Sequence, residues 1–168
     1  MRRPYRCISS DAHLETSPNR WRDRVPERHR ERAPRTVRLA NGGEAILSEG
    51  NPLLKLHAHN AGFPFEEWGP DRPMTYDEEP GSGSAEQRLR EQDQDGVDAE
   101  VLFPGVSGRG LWHSIADDEA YHAVVRAYND FLAEEYQALN PDRLIPMGLI
   151  PDRGLDRAVE EEGMLKVA

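Results

Sequence analysis

Asp11, Ala12 and His13 close the short extended run Tyr5-Arg6-Cys7-Ile8-Ser9-Ser10. Side chains alternate across a strand, so residues 11 and 13 share a face. A carboxylate and an imidazole side by side are a hard and a borderline ligand, a pair that suits a divalent cation. At the C-terminal end of a strand that opens a parallel α/β arrangement, they stand where barrel enzymes gather their active-site groups. An isolated D-x-H also serves as an Asp turn beside a hydrogen-bonded histidine, so the surrounding chain has to decide.

A second pattern competes with the first. Leu53-Leu54-Lys55-Leu56-His57-Ala58-His59 reads as an apolar strand ending in H-x-H. It lies between Pro52 and Pro64 in a stretch rich in Pro, Gly and acids, and as a first strand it would leave less chain for the strands that must follow. Asp11 and His13 are therefore taken as the metal ligands, with His57 and His59 able to reach in from a lid. His59, Phe103, Trp112 and His113 are the candidates for lining the substrate site, and no residue is assigned a catalytic role. Pro104-Gly105-Val106-Ser107-Gly108-Arg109-Gly110 is a glycine-rich turn but carries neither G-x-G-x-x-G nor a Walker pattern, so it reads as a substrate-facing loop. No Ser-His-Asp or Cys-His spacing suggests covalent catalysis. Cys7, the one cysteine, excludes an internal disulfide and reads as a small core residue of the first strand.

The elements that must position these groups follow from periodicity. The arginine-rich stretch Arg20 to Arg35, interleaved with Asp23, Glu27 and Glu31, reads as a solvated helix rather than a basic binding patch. Thr36 to Leu39 and Glu44 to Leu47 flank Asn41-Gly42, a hairpin signal. Residues 49–84 form a long excursion of the kind that covers an active site. Ala85 to Asp95 is helical and Gly96 caps it; Val97 to Phe103 is the second strand. Asp117 or Asp118 opens a long helix whose Tyr121, Val124, Val125, Tyr128, Phe131, Leu132, Tyr136 and Leu139 make one apolar stripe. Asn140-Pro141 ends it, Leu144 to Ile150 is the third strand, and Pro151-Asp152 opens a third helix. Strand and helix alternate, which is the parallel α/β pattern.

Four ordered blocks resemble the amidohydrolase-related family, the branch of the metal-dependent hydrolase superfamily that includes aminocarboxymuconate semialdehyde decarboxylase. They are Ile8 to His13, Asp95 to Pro104, Ala127-Tyr128-Asn129-Asp130-Phe131, and Asn140-Pro141-Asp142-Arg143-Leu144 leading into Leu149-Ile150-Pro151. Many members carry H-x-H where this chain has D-A-H, and an acidic first residue resembles a known variant. The resemblance implies the N-terminal part of a (β/α)₈ barrel. It also implies a divalent metal, zinc, held in part by Asp11 and His13, and hydrolysis or non-oxidative decarboxylation of a small carboxylated, cyclic or aromatic-derived substrate. A complete barrel takes typically about 250 residues, whereas this chain has 168. The expectation is thus about three βα units of eight, an N-terminal fragment over residues 1–168 with an insertion or lid at 17–84 and βα units at 85–168. Its unclosed sheet should leave the third strand without a neighbour and the long helix only partly covered, and should drive self-association. A competing reading makes the chain a non-catalytic module that binds through that edge.

Composition narrows partners and location. Lys+Arg 21 against Asp+Glu 31 give a net charge of -10, which disfavours nucleic acid and anionic membrane. No signal-peptide or membrane-length apolar run is present, so a cytoplasmic protein with a small-molecule substrate, assembling as a homo-oligomer, is the expectation.

Overall fold

The computed structural model describes residues 5–55, 63–69, 72–77, 79–105 and 113–165. Its centre is a three-stranded parallel sheet of β1 (Ile8–Leu14), β5 (Ala99–Pro104) and β6 (Leu144–Pro146), in that order. The register sets Ala12 beside Leu102 and Leu102 beside Pro146, with His13 beside Phe103. Between Ser9 and Ala12 the pairing slips, so that Ser10 and Asp11 together face the single residue Val101. Such a bulge bends a strand and re-aims its side chains.

Each crossover is helical. Helix α2 (Ala85–Asp95) starts where the Ser84 hydroxyl accepts from the Gln87 N–H, and stops at Gly96, whose φ of 70° suits a residue without Cβ. Helix α3 (Asp118–Phe131) starts at Asp117, whose carboxylate accepts from the Ala120 N–H at 2.8 Å. It runs on into a widened π turn over Leu132–Gln137. Helix α4 (Leu155–Leu165) follows β6. These elements match the expectation in kind, with three shifted boundaries: β5 starts at Ala99 instead of Val97, β6 ends at Pro146 instead of reaching Ile150, and α4 begins at Leu155, four residues after Pro151.

One face of the sheet is covered by helix. Ala12, Leu14, Leu102 and Leu144 are buried there against Tyr121, Val124, Val125, Tyr128, Phe131, Leu132 and Tyr136. The expectation that this stripe stays partly uncovered is wrong for every member but Leu139, which is exposed. The cover comes from the arginine-rich stretch, which is not one helix. It folds as two 3₁₀ turns, Pro18–Arg20 and Arg22–Arg24, and the single-turn α1 (Glu27–Arg30). Pro18 and Pro26 set these starts, and the turns drive Trp21 and Val25 into the core. The Trp21 ring meets Tyr128 edge-on at 5.7 Å, and the Arg24 guanidinium sits 5.6 Å above Phe131. The arginines thus act as clamps: Arg24 also donates to Glu134 at 2.9 Å and to Glu135 at 3.2 Å.

Polar staples lock the layers. Arg88 of α2 pairs with the buried Glu100 of β5 at 2.6 Å, and Gln92 donates to the same carboxylate at 2.8 Å. Arg143, just before β6, donates to the carbonyls of Val97 and Asp98. Asn129 of α3 donates to the Leu149 carbonyl and accepts from its N–H, both at 2.8 Å, and reaches Glu161 of α4. A buried amide with all these partners fixes where the chain after β6 runs. Cys7 is exposed, ahead of β1, so the core role expected for it does not hold.

The excursion contains more regular structure than its composition suggests. The expected hairpin is β2 (Arg35–Arg38) with β3 (Glu44–Ser48), and β4 (Asn51–Lys55) extends it to a three-stranded antiparallel sheet. The β3–β4 turn is Glu49-Gly50, both at positive φ (47° and 81°), as a two-residue hairpin turn requires. This sheet is tied to the body by Ser17–Thr36 (2.7 Å between hydroxyls) and by Ser114, which donates to Ser48 at 2.9 Å. Ile46, Met74 and Tyr76 form its own small core. Among the described residues no helix is long and apolar enough to cross a membrane.

Candidate functional site

The second face of the parallel sheet is open. Ile8 is 51% exposed and Ile145 and Met147 are each 40% exposed. Asp11 and His13 are exposed on the side opposite the buried Ala12 and Leu14. Alternation alone produces this split: the small and aliphatic members of Asp11-Ala12-His13-Leu14 go to the helices and the two donors to the open face. His13 lies beside Phe103 across the strand pair, ring centroids 6.4 Å apart and tilted.

Glu15, which the sequence reading passed over, marks the rim directly above them. It is buried, and its carboxylate rests on Gly105: a Cβ at position 105 would stand 2.4 Å from the Glu15 carboxyl carbon. Only glycine fits after β5 without moving that carboxylate. Glu15 also faces two buried phenols. Burial, and after it the Glu15 charge, raises the Tyr76 pKa; burial, then Tyr136 and Glu15, raises that of Tyr128. The Tyr76 hydroxyl has no hydrogen-bond partner among the described residues. The clue in the sequence was the acid two positions beyond His13, continuing the same alternation.

His113 lies between β5 and α3, at the same end of the sheet. Its Nε2 lies 3.4 Å from Asp152 Oδ2, on the loop after β6. Tyr121 donates to Asp152 Oδ1 at 2.8 Å, and the Asp152 N–H donates back to the Tyr121 oxygen at 3.2 Å. The Arg153 guanidinium lies 4.4 Å over the Tyr121 ring and donates to the carbonyls of Ile115 (2.6 Å) and His113 (3.1 Å). The Tyr121 hydrogen bond, with His113 adding to it, holds the Asp152 carboxyl below the usual range.

Of the residues the sequence singled out, the structure thus sets His13 beside Phe103 with Asp11 on the same face, and gives His113 to Asp152. His57, His59 and Trp112 lie outside the described residues. The strand that leads to His57 is the antiparallel β4, which is no part of the parallel sheet. Asp11 and His13 offer two donors of the kinds a divalent metal takes. No third His, Cys, Asp or Glu joins them in a metal-holding group among the described residues.

No family model matches the chain, and no curated protein does. Among solved structures, the crystal structure of an amidohydrolase from Mycobacterium avium subsp. paratuberculosis K-10 matches with a TM-score of 0.66 and 18% identity, over 97% of this chain and 47% of that one. The chain spans about half the length of that relative, and at this identity the likeness defines the fold: mixed α/β with a parallel sheet, as in one part of an amidohydrolase.

Proposed function

We propose that the chain supplies the first βα units of a barrel enzyme of the amidohydrolase superfamily, with Asp11 and His13 as two ligands of a divalent metal, zinc. The observation that carries this reading is the placement of an exposed carboxylate and imidazole on the open face at the C-terminal end of β1, beside Phe103. The amidohydrolase likeness supports it at the level of fold. Zinc, when bound, supplies a Lewis acid. The donors present fit such an ion in type, and since catalytic zinc takes three protein ligands, at least one more comes from elsewhere in the complete barrel.

The chain's own residues then have distinct tasks. Asp11 and His13 hold the ion; Phe103, on the same face, offers an aromatic surface to a flat substrate; Glu15 is packed against Gly105 at the strand ends and fixes the rim. The antiparallel sheet is tied to residue 114 through Ser48. On the resemblance of the four sequence blocks, the reaction is hydrolysis or non-oxidative decarboxylation of a small carboxylated, aromatic-derived substrate. Titration calorimetry with Zn²⁺ tests the metal assignment. A weak single site in the wild-type chain should vanish in His13→Ala and in Asp11→Ala; identical curves for all three proteins would refute it.

A further inference from the structure

Nothing in the assignment of Asp11 and His13 uses the His113–Asp152 pair at the same end of the sheet. Two contacts hold His113, the second of them through a guanidinium that also grips the chain around it. Its ring nitrogen Nε2 faces Asp152 Oδ2 at 3.4 Å, its carbonyl accepts from Arg153 Nη2 at 3.1 Å, and the same guanidinium reaches Ile115 and Asp118. Asp152 is in turn oriented by Tyr121 on α3. His113 follows β5 and Asp152 follows β6, so both stand at the end of the sheet where Asp11 and His13 emerge from β1. An exposed histidine needs none of this to remain folded.

Resting on the reading above, we propose that His113 is a proton-transfer residue of the same site, with Asp152 and Tyr121 as its positioning residues. A carboxylate at Nε2 keeps the neutral ring's proton on that nitrogen and leaves the lone pair on Nδ1. The side chain is 44% exposed, so Nδ1 is available to a group bound over the rim. In the forward step an O–H bond of bound water or substrate hydroxyl breaks, its electron pair stays on the oxygen that attacks, and the proton forms the Nδ1–H bond. The resulting imidazolium is balanced by the Asp152 carboxylate, and the proton passes to the leaving group when the substrate bond breaks. The other charged groups around His113 are Arg153, Asp118 on α3, and Glu49 on the β3–β4 turn, which accepts from the Ala116 N–H.

Long-range proton–nitrogen spectra of the intact, ¹⁵N-labelled chain read the tautomer directly. The expected result is His113 with the proton on Nε2; in Asp152→Ala the ratio of Nε2–H to Nδ1–H falls by up to about fivefold, as loss of a partly exposed charge contact at 3.4 Å implies, and Asp152→Glu restores it. Tyr121→Phe, which keeps the ring under Arg153, gives a smaller shift in the same direction. A proton on Nδ1 in the wild type, or a ratio indifferent to Asp152→Ala, overturns the proposal. Mn²⁺ added to the same sample should broaden the ring signals of His13 and His113 together, and in His13→Ala the His113 ring should stay sharp. Broadening at His13 without His113 sinks this inference and leaves the metal assignment standing. No selective broadening at His13 sinks both.

Discussion

The two faces of the parallel sheet are made by the same strands yet follow opposite rules. Toward the helices, Ala12, Leu14, Leu102 and Leu144 are buried under aromatic rings of α3 and under Trp21. Toward the open side, Asp11, His13, Ile145 and Met147 remain accessible. Stability is therefore concentrated on one side and chemical potential on the other. A substitution's effect on folding should report which face it touches.

The largest expected effect tests the covered face. Phe131 is completely buried between Tyr128, Tyr136 and the Arg24 guanidinium. Phe131→Ala should cost about 3–5 kcal/mol in urea unfolding, the usual range for a large aromatic truncated in a core. His13→Ala, at an exposed position on the other face, should stay within about 0.5 kcal/mol. If the two variants lose comparable stability, the division between faces is wrong and His13 is part of the packing.

A smaller effect probes how the excursion is held. The buried Tyr136 hydroxyl donates to the Gly83 carbonyl at 2.9 Å and ties the π turn to the residues preceding α2. Tyr136→Phe should cost about 1 kcal/mol, the net worth of one buried hydrogen bond, plus some penalty for the stranded carbonyl. On the open face, Ile145→Lys should leave unfolding unchanged while shifting sedimentation velocity profiles toward the monomer. We expect association because β1 and β6 each have one strand neighbour among the described residues, and unpaired edges with apolar side chains invite pairing. Concentration-independent monomer in the wild type would remove that expectation.

Much of the covered face was legible from sequence. Ser84 and Gly96 bracket α2, Asp117 opens α3, and the 3.6-residue stripe from Tyr121 to Tyr136 identifies what is buried, because caps and periodicity are local signals. What was hidden depends on distant partners. Trp21 reads as part of a charged helix until α3 is there to receive it, and Glu49-Gly50 signals a turn only if a non-glycine residue accepts positive φ. On the open face, Asp11 and His13 were legible through strand alternation; Glu15 continues that alternation, but its packing against Gly105, just after β5, is a distant contact no local pattern gives. The His113–Asp152 pair joins residues 39 apart in number through two loops, and no spacing rule anticipates it.

The smallest expected effect lies at that rim and is one of pH. Asp152 is held below the ordinary carboxylate range, first by the Tyr121 hydroxyl and, against an opposing effect of burial, by the His113 charge. A carboxylate whose folded pKa lies below its unfolded value, near about 3.9 for aspartate, stabilises the fold at pH above that value, and the contribution is lost as pH falls through the folded pKa. The window is therefore acidic, below about pH 4, and neutral pH leaves the term at its plateau. Tyr121→Phe removes the leading cause, so the Asp152 midpoint read by carboxyl ¹³C NMR should move up toward the ordinary value. The plateau contribution becomes smaller, and the remaining loss begins closer to the unfolded pKa. Because Asp152 is mostly exposed, solvent screens the charge and the change in overall stability should be slight even where the midpoint moves clearly. An unmoved midpoint would mean that Tyr121 serves the covered face alone, through packing, and that no electrostatic link runs from α3 to the open rim.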